Sequence, residues 1–301
     1  MSIVTNIKSS FSYLAFRYTQ PKVLFGALAV IAILSWIAVF ASAKSDAAKI
    51  YFFDVGQGDA IFIELMDGRQ ILIDGGPDER VLEKLNKVMP FWDREIDIMI
   101  ATHADADHLA GLVRALAHYG FGTIIWNGIA AETRVFKEWK EAADSEGAEV
   151  LVGRCCMRFT LSDNAFFEIL WPNDSPPYEG GVLRPQSEGG GSQNNYSLVI
   201  RFVDGNESFL FTGDIERQVE YAIVQQNFNL QSDILKIPHH GSKTSSSELF
   251  LDAVRPKTAI ISAGRNNSYG HPHPAILQRL KNYAIDVRRT DLEGDIIYAS
   301  K

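Results

Sequence analysis

Six of the seven histidines fall into three tight clusters, His103 with His108, His239 with His240 and His271 with His273, and His118 stands apart. The densest stretch is ATHADADHLAGL, Ala101 to Leu112, in which two histidines and two aspartates share the six residues His103 to His108. Imidazoles and carboxylates gathered in one place are the donor set of a divalent metal ion. A helix face would present ligands at i and i+4. The spacing here suits a sharp turn that aims His103 and Asp105 at one point and Asp107 and His108 at another, with Ala104 and Ala106 leaving room. The plainer reading is a polar turn capping a helix that starts at Leu109, but a cap uses one aspartate.

What must position these groups is a set of strand ends. The first two clusters follow the apolar runs IDIMIA (Ile96–Ala101) and SDILKI (Ser232–Ile237), and Asp214 closes FLFTGD in the same strand-then-turn setting. Such ends let side chains converge from a rigid scaffold. The chain opens with the strand-like runs KIYFFDV, AIFIEL and RQILIDGG, the last two joined at Asp67-Gly68 as a hairpin. Periodicity then predicts helices over 79–88, 109–119, 133–146, 216–226, 246–253 and 274–283. It predicts strands over 96–101, 123–126, 166–170, 197–202, 208–212, 234–237, 258–261 and 295–298. Residues 172–195, with glycines at 189–191, read as a long surface loop.

Seven ordered segments carry a resemblance: FFDVGQGDAIFIE (52–64), ILIDGGP (71–77), THADADHLAGL (102–112), NNYSLVIRF (194–202), LFTGDIE (210–216), LKIPHHGSKTSS (235–246) and YGHPHPAIL (269–277). Together they resemble the metallo-β-lactamase fold superfamily, and within it the metallo-hydrolase domain of ComEC-type DNA-uptake proteins. The resemblance implies an α/β (α+β) fold, a four-layer αββα sandwich with one or two metal ions at the edge between its sheets. It assigns His103 and Asp105 to a first metal site, Asp107 and His108 to a second, and Asp214 to a bridging position. His239 takes the place of a second-site ligand and His240 that of a neighbour serving substrate or proton transfer, although the two adjacent histidines can exchange roles. Asp74 corresponds to an aspartate that orients the ligand loop.

The chain departs from the commoner superfamily pattern twice. In His-x-His-x-Asp-His the second histidine is here Asp105, a change that ComEC-type proteins share. The histidine usual between the first cluster and the TGD segment is missing, and Asn194 or Asn195 stands nearest its place, with Asn195 taken as the candidate. Oxygen donors replacing imidazole favour Mn2+ or Mg2+, with Zn2+ still compatible. A divalent ion makes hydroxide available at neutral pH, and two cations suit attack on phosphorus, where charge develops on entering and leaving oxygens. The expected activity is therefore a phosphodiesterase or nuclease acting on DNA or RNA, with Asp107, Asp214, His240 and His271 catalytic. Ser242 and Lys243, in Gly241–Ser245, offer a phosphate cradle. His271 is a leaving-group acid or phosphate donor, or else shapes a turn, and Gln57 and Asp59 orient nearby loops or form a structural turn. Hydrolysis of a lactam, lactone or ester, and a non-catalytic binding domain on the same fold, are the alternatives.

The rest of the chain sets the context. The segment Val23–Ala43 contains no charged residue and matches the ~20 residues a membrane-spanning helix needs. It divides the chain into a basic segment 1–22, a transmembrane helix or signal 23–43, a linker 44–49 and the hydrolase domain 50–301. Lys8, Arg17 and Lys22 precede it with no acidic residue, which favours a single-pass anchor with the domain outside the cytoplasm. Ala41-Ser42-Ala43 fits signal cleavage and secretion as the rival. A net charge of −8 from 29 Lys and Arg against 37 Asp and Glu excludes a globally basic nucleic-acid binder. A separate channel or uptake protein is an expected partner, since one apolar segment cannot form a channel. Cys155 and Cys156 are adjacent and form no ordinary structural disulfide.

Overall fold

The computed structural model describes residues 21–42, 47–173 and 193–300, and in the first of these side chains are described from Val23 to Trp36. The expected basic segment, the cleavage motif's Ala43 and most of the 172–195 loop lie outside the described residues. The chain divides into two compact units, 1–44 and 45–301. The first contains helix α1 (Pro21–Ser42), whose described apolar side chains are exposed. Among the described residues no helix is long and apolar enough to cross a membrane.

In the second unit the chain forms β1 (Lys49–Phe52), β2 (Ile61–Glu64), β3 (Gln70–Ile73), α2 (Arg80–Val88), β4 (Glu95–Ala101), α3 (Ala106–Leu116) and β5 (Gly120–Trp126). α4 (Arg134–Ser145), β6 (Glu149–Val152), β7 (Arg158–Thr160), β8 (Ala165–Trp171), β9 (Val199–Asp204) and β10 (Glu207–Phe211) follow. The remainder comprises α5 (Arg217–Gln225), β11 (Ile234–Lys236), α6 (Glu248–Val254), β12 (Thr258–Ile261), α7 (Pro274–Asn282), β13 (Asp286–Arg289), α8 (Thr290–Glu293) and β14 (Ile296–Ala299). Two mixed seven-stranded sheets result, ordered β14-β1-β2-β3-β4-β5-β6 and β13-β12-β11-β10-β9-β8-β7.

Strict alternation along the strands builds the layers. Ile50, Phe52, Ile61, Ile63, Ile71 and Ile73 face Phe209, Phe211, Ile234 and Ile260 in a core shared by the two sheets. The intervening Tyr51, Phe62 and Leu72 join the core under α2, α3 and α4. On the other side Leu210, Leu235, Ala259 and Ile261 pack beneath α5, α6 and α7. A period of two therefore feeds two cores at once, which is how a strand buried on both faces reads as a near-continuous apolar run. This is the expected sandwich of two sheets.

The differences from the predicted elements are local. Helix α3 starts at Ala106 rather than Leu109, which puts Asp107 and His108 in its first turn and Asp105 at its N-cap position, without a side-chain cap bond. Three strands absent from the sequence reading, β6, β7 and β13, all lie at sheet edges, and their residues are largely exposed or half-buried. An edge strand facing solvent loses the apolar alternation that would mark it. Cys155 and Cys156 lie against each other as a vicinal pair, which links no distant parts of the chain.

Close backbone contact fixes α3 on the first sheet. Gly75 N donates to His108 O at 2.8 Å and Gly111 N to Gly76 O at 2.9 Å. A Cβ on Gly111 would sit 1.8 Å from Gly75 O, a backbone atom that cannot swing aside. Gly111→Ala should therefore destabilise the domain by about 2–3 kcal/mol through forced displacement of α3. Gly120→Ala, whose Cβ would meet nothing nearer than 3.7 Å, should stay within about 0.5 kcal/mol. Chemical denaturation of the two variants checks the difference, and equal stabilities would show that α3 is free to shift.

Candidate metal centre

The site lies at the seam where both sheets end. From the first sheet come His103, after β4, and Asp107 and His108 at the start of α3. From the second come Asp214 after β10 and the pair His239-His240 after β11. The turn carrying the pair has both residues in the left-handed region, φ 49° and 53°. That conformation is costly for non-glycine residues. It sends the two imidazoles different ways.

Ligand atoms of Asp107, His108, Asp214 and His240 lie within 4.8 Å of one another. His240 Nε2 is 3.3 Å from Asp214 Oδ2 and 3.5 Å from Asp107 Oδ2, and His108 Nε2 is 3.4 Å from Asp214 Oδ1. The outer nitrogens of three imidazoles are spoken for. His108 Nδ1 lies 2.8 Å from Asp74 Oδ2 and His240 Nδ1 2.9 Å from the carbonyl of Ser262, both pure acceptors, so each Nδ1 carries the proton. Asp74 in turn accepts from Thr102 N at 2.8 Å and Thr102 Oγ1 at 2.7 Å. With its own proton given to Asp74, Thr102 Oγ1 can only accept from His103 Nδ1, 3.0 Å away. Each ring therefore turns Nε2 inward as the atom left to bind a cation, and His103, His108 and His240 Nε2, with Asp214 Oδ1, are buried without a hydrogen-bond partner. Buried orphans of this kind, each oriented from behind, are what a cation requires. The residues fit a divalent metal ion.

Electrostatics agree. Burial opposes ionisation throughout, yet Asp214 and Asp74 hold His108 well above the usual imidazole range, and Asp214 and Asp107 do the same for His240. Reciprocally, despite burial, His240 and His108 hold Asp214 well below the carboxylate range, and Asp107 is lowered to about 2. Without a cation the imidazoles themselves supply the balancing positive charge.

The remaining sequence candidates divide. Asp105 Oδ2 lies 3.6 Å from His103 Nε2 with its side chain 41% exposed, so these two form a more open flank beside the compact cluster. His240 stands where the sequence reading placed His239. His239 is half-buried, 3.9 Å from Asp214 Oδ2 and 3.8 Å from Glu216 Oε1. The amide of Asn194, not Asn195, reaches it, at 3.3 Å from Nε2. Asn195 instead binds Glu216, accepting from its backbone N at 3.3 Å. Ser242 is buried with Oγ 3.0 Å from Thr244 Oγ1, while Lys243 extends from the same turn into solvent. His271 meets His239 edge to face, ring centroids 5.6 Å apart. Burial, then the neighbouring His240 and His239, push its pKa down to about 4, so at neutral pH it is an uncharged donor rather than a cationic acid. His273 caps α7, Nδ1 accepting from Ala275 N at 3.2 Å, and His118 is exposed.

One constituent escaped sequence reasoning. Lys236, on the interior strand β11, has a fully buried side chain whose Nζ pairs with Asp59 Oδ2 at 2.7 Å and donates to Ile237 O at 3.0 Å. Asp59 Oδ1 lies 3.4 Å from His240 Nδ1. A lone lysine inside the apolar run DILKIP was the available signal. Gln57 Oε1 accepts from Gly264 N at 3.2 Å, and Gly58 packs on Asp107 so closely that a Cβ would lie 2.1 Å from its carbonyl oxygen. The DVGQGDA loop is thus built into the site.

This fold and site define a metallo-hydrolase-type sandwich. Residues 53–265 match the family model described as the metallo-beta-lactamase superfamily, and the chain belongs to that family. It is 34% identical over 275 residues to ComE operon protein 3 of Bacillus subtilis, covering 85% of this chain and 34% of that protein. With competence protein ComA of Neisseria gonorrhoeae it shares 32% identity over 252 residues, 82% of this chain and 31% of the other. The chain thus spans about a third of the length of these relatives, which are competence proteins of the ComEC type. A metallo hydrolase from the archaeon Ignicoccus hospitalis shares the fold at TM-score 0.53 and 14% identity, over 84% of this chain and 100% of that one.

Metal content and stability test this arrangement. His240→Ala should lower divalent-metal affinity by at least ~100-fold and His239→Ala by less, measured by titration calorimetry and elemental analysis. The opposite order would assign the inner position to His239. Lys236→Met takes the lysine from buried Asp59, leaving only the more distant His240 beside it, and should cost about 3–5 kcal/mol in the metal-free protein, read from denaturant unfolding.

Proposed function

We propose that the chain is a membrane-anchored, metal-dependent phosphodiesterase whose substrate is DNA or RNA. The observation that carries this reading is the oxygen-rich donor set, with Asp107 and Asp214 inside the cluster and Asp105 on its flank, around three inward-facing Nε2 atoms. Such a mixture suits Mn2+, Mg2+ or Zn2+. Asp107, His108, Asp214 and His240 would hold one ion, and His103 with Asp105 a second beside it. A divalent ion there would make hydroxide available at neutral pH and offset charge on phosphoryl oxygens. The chain's own groups do the rest. Asp214 faces both His108 and His240 and orients whatever binds between them. His271, uncharged at neutral pH, can donate a hydrogen bond to a phosphate or leaving oxygen. Lys243 and the Gly241–Ser245 turn add a cation and backbone donors next to His239.

The names of the relatives point to competence, and therefore to DNA, as the biological setting. The uncharged sequence Val23–Ala43, preceded by Lys8, Arg17 and Lys22 and no acidic residue, supports a single-pass anchor with the hydrolase unit outside the cytoplasm, acting beside a separate channel or uptake protein.

The full chain, assayed with Mn2+, Mg2+ and Zn2+, should hydrolyse bis-p-nitrophenyl phosphate and oligonucleotides. Chelation should abolish the activity, and Asp214→Asn should lower it by ~100-fold or more. Turnover of nitrocefin without cleavage of any phosphodiester would overturn the proposal in favour of lactam chemistry.

A further inference from the structure

Around the mouth of the metal centre the exposed groups form a line. At one end Tyr269 is 70% exposed, its ring stacked near His271 with centroids 5.9 Å apart and planes at 24°. The loop carrying it is held by Asn267. That side chain donates to the carbonyls of Gly264 and His271 and accepts from the backbone N of Tyr269 at 3.1 Å and of His271 at 3.0 Å. The loop backbone around the tyrosine is thus braced against the site.

From His271 the line passes to His239, 5.6 Å between ring centroids, and on to Glu216, 3.8 Å from His239 Nδ1. Glu216 accepts from Thr244 Oγ1 at 3.0 Å. Beyond it lies an open groove of about 580 Å³, lined by Glu216, Arg217, Gln218, Tyr221, Lys243 and Thr244. Arg217 and Tyr221 stand four residues apart on α5 and so share a face. Arg217 donates to the carbonyl of Lys243 at 3.2 Å, tying the two walls together. Tyr221 is 41% exposed.

Two exposed aromatic rings thus flank the metal centre, with two cations and one engaged carboxylate beside the second. We propose that Tyr269, Tyr221, Arg217 and Lys243 form a track that leads single-stranded nucleic acid across the metal centre, with bases on the tyrosines and phosphates on the cations. Unpaired bases offer π-faces to aromatic side chains, and cations along the same groove follow the backbone. A duplex stacks its bases on one another and leaves the tyrosines no face to meet. The proposal rests on the phosphodiester reading for its purpose but not for its measurement.

The test is fluorescence anisotropy with the full chain, in Mn2+ and in EDTA, using a labelled phosphorothioate-linked oligothymidine of about 20 nucleotides. Tyr221→Ala and Tyr269→Ala should each weaken binding roughly tenfold, and the corresponding Phe variants should restore it. Lys243→Ala should reduce the slope of log affinity against log salt by ~0.7, the value for one lost phosphate contact on a single strand. Alanine variants binding like the unmodified chain, phenylalanine variants as weak as alanine, tighter binding to duplex, or no binding at all would each overturn the track. Strand binding through the tyrosines without phosphodiester hydrolysis would leave the track standing and reject the activity. Hydrolysis with unaltered binding in the tyrosine variants would do the reverse.

Discussion

The fold depends on balancing charge where there is almost no water. Asp214, His108 and His240 have side chains 4% exposed or less, and an unpaired charge at such depth would cost several kcal/mol. The balance is reached by alternation of sign. Asp74 stands behind His108, Asp214 lies in front of it, His240 faces Asp214, and Asp59 and the Ser262 carbonyl stand behind His240. Lys236 closes the series by neutralising Asp59. Every backing group is supplied by a strand or by the loop leaving one, so the requirement reaches from the site into the middle of both sheets.

Much of this was legible in the sequence, for reasons that also explain what was not. ATHADADHLAGL, FLFTGD and KIPHHG each put polar chemistry directly after an apolar run, and strands buried on both faces make such runs unmistakable. The edge strands β6 and β7 gave no such signal because solvent takes one face. The choice between His239 and His240 turns on two consecutive left-handed residues, which no residue type there requires. Asn194 and Asn195 likewise exchange places because the short 3-10 turn Gln193–Tyr196 rotates them, and spacing alone does not register that rotation. Lys236 was hidden by its setting, since its partner Asp59 lies far away in the chain on a loop of the opposite sheet.

Surface and centre follow different electrostatic rules. The chain as a whole is acidic, which on its face disfavours a polyanionic ligand. Arg217 and Lys243 nevertheless stand together at the rim, next to a centre whose carboxylates are matched to nearby imidazoles. A ligand approaching there meets the local arrangement rather than the net charge, because exposed charges more than about 10 Å away are largely screened at 0.1 M salt.

The contribution of ligands from two sheets has a mechanical consequence. His103, Asp107 and His108 belong to the end of one sheet, and Asp214 and His240 to the end of the other, so an ion bound among them would be a further cross-link between halves joined by apolar contact and by the Lys236–Asp59 pair. It would resist the sliding of one sheet over the other in the way a rivet resists shear. Its affinity would add directly to the folding stability of the unit, since the dispersed ligands of the unfolded chain offer no comparable site.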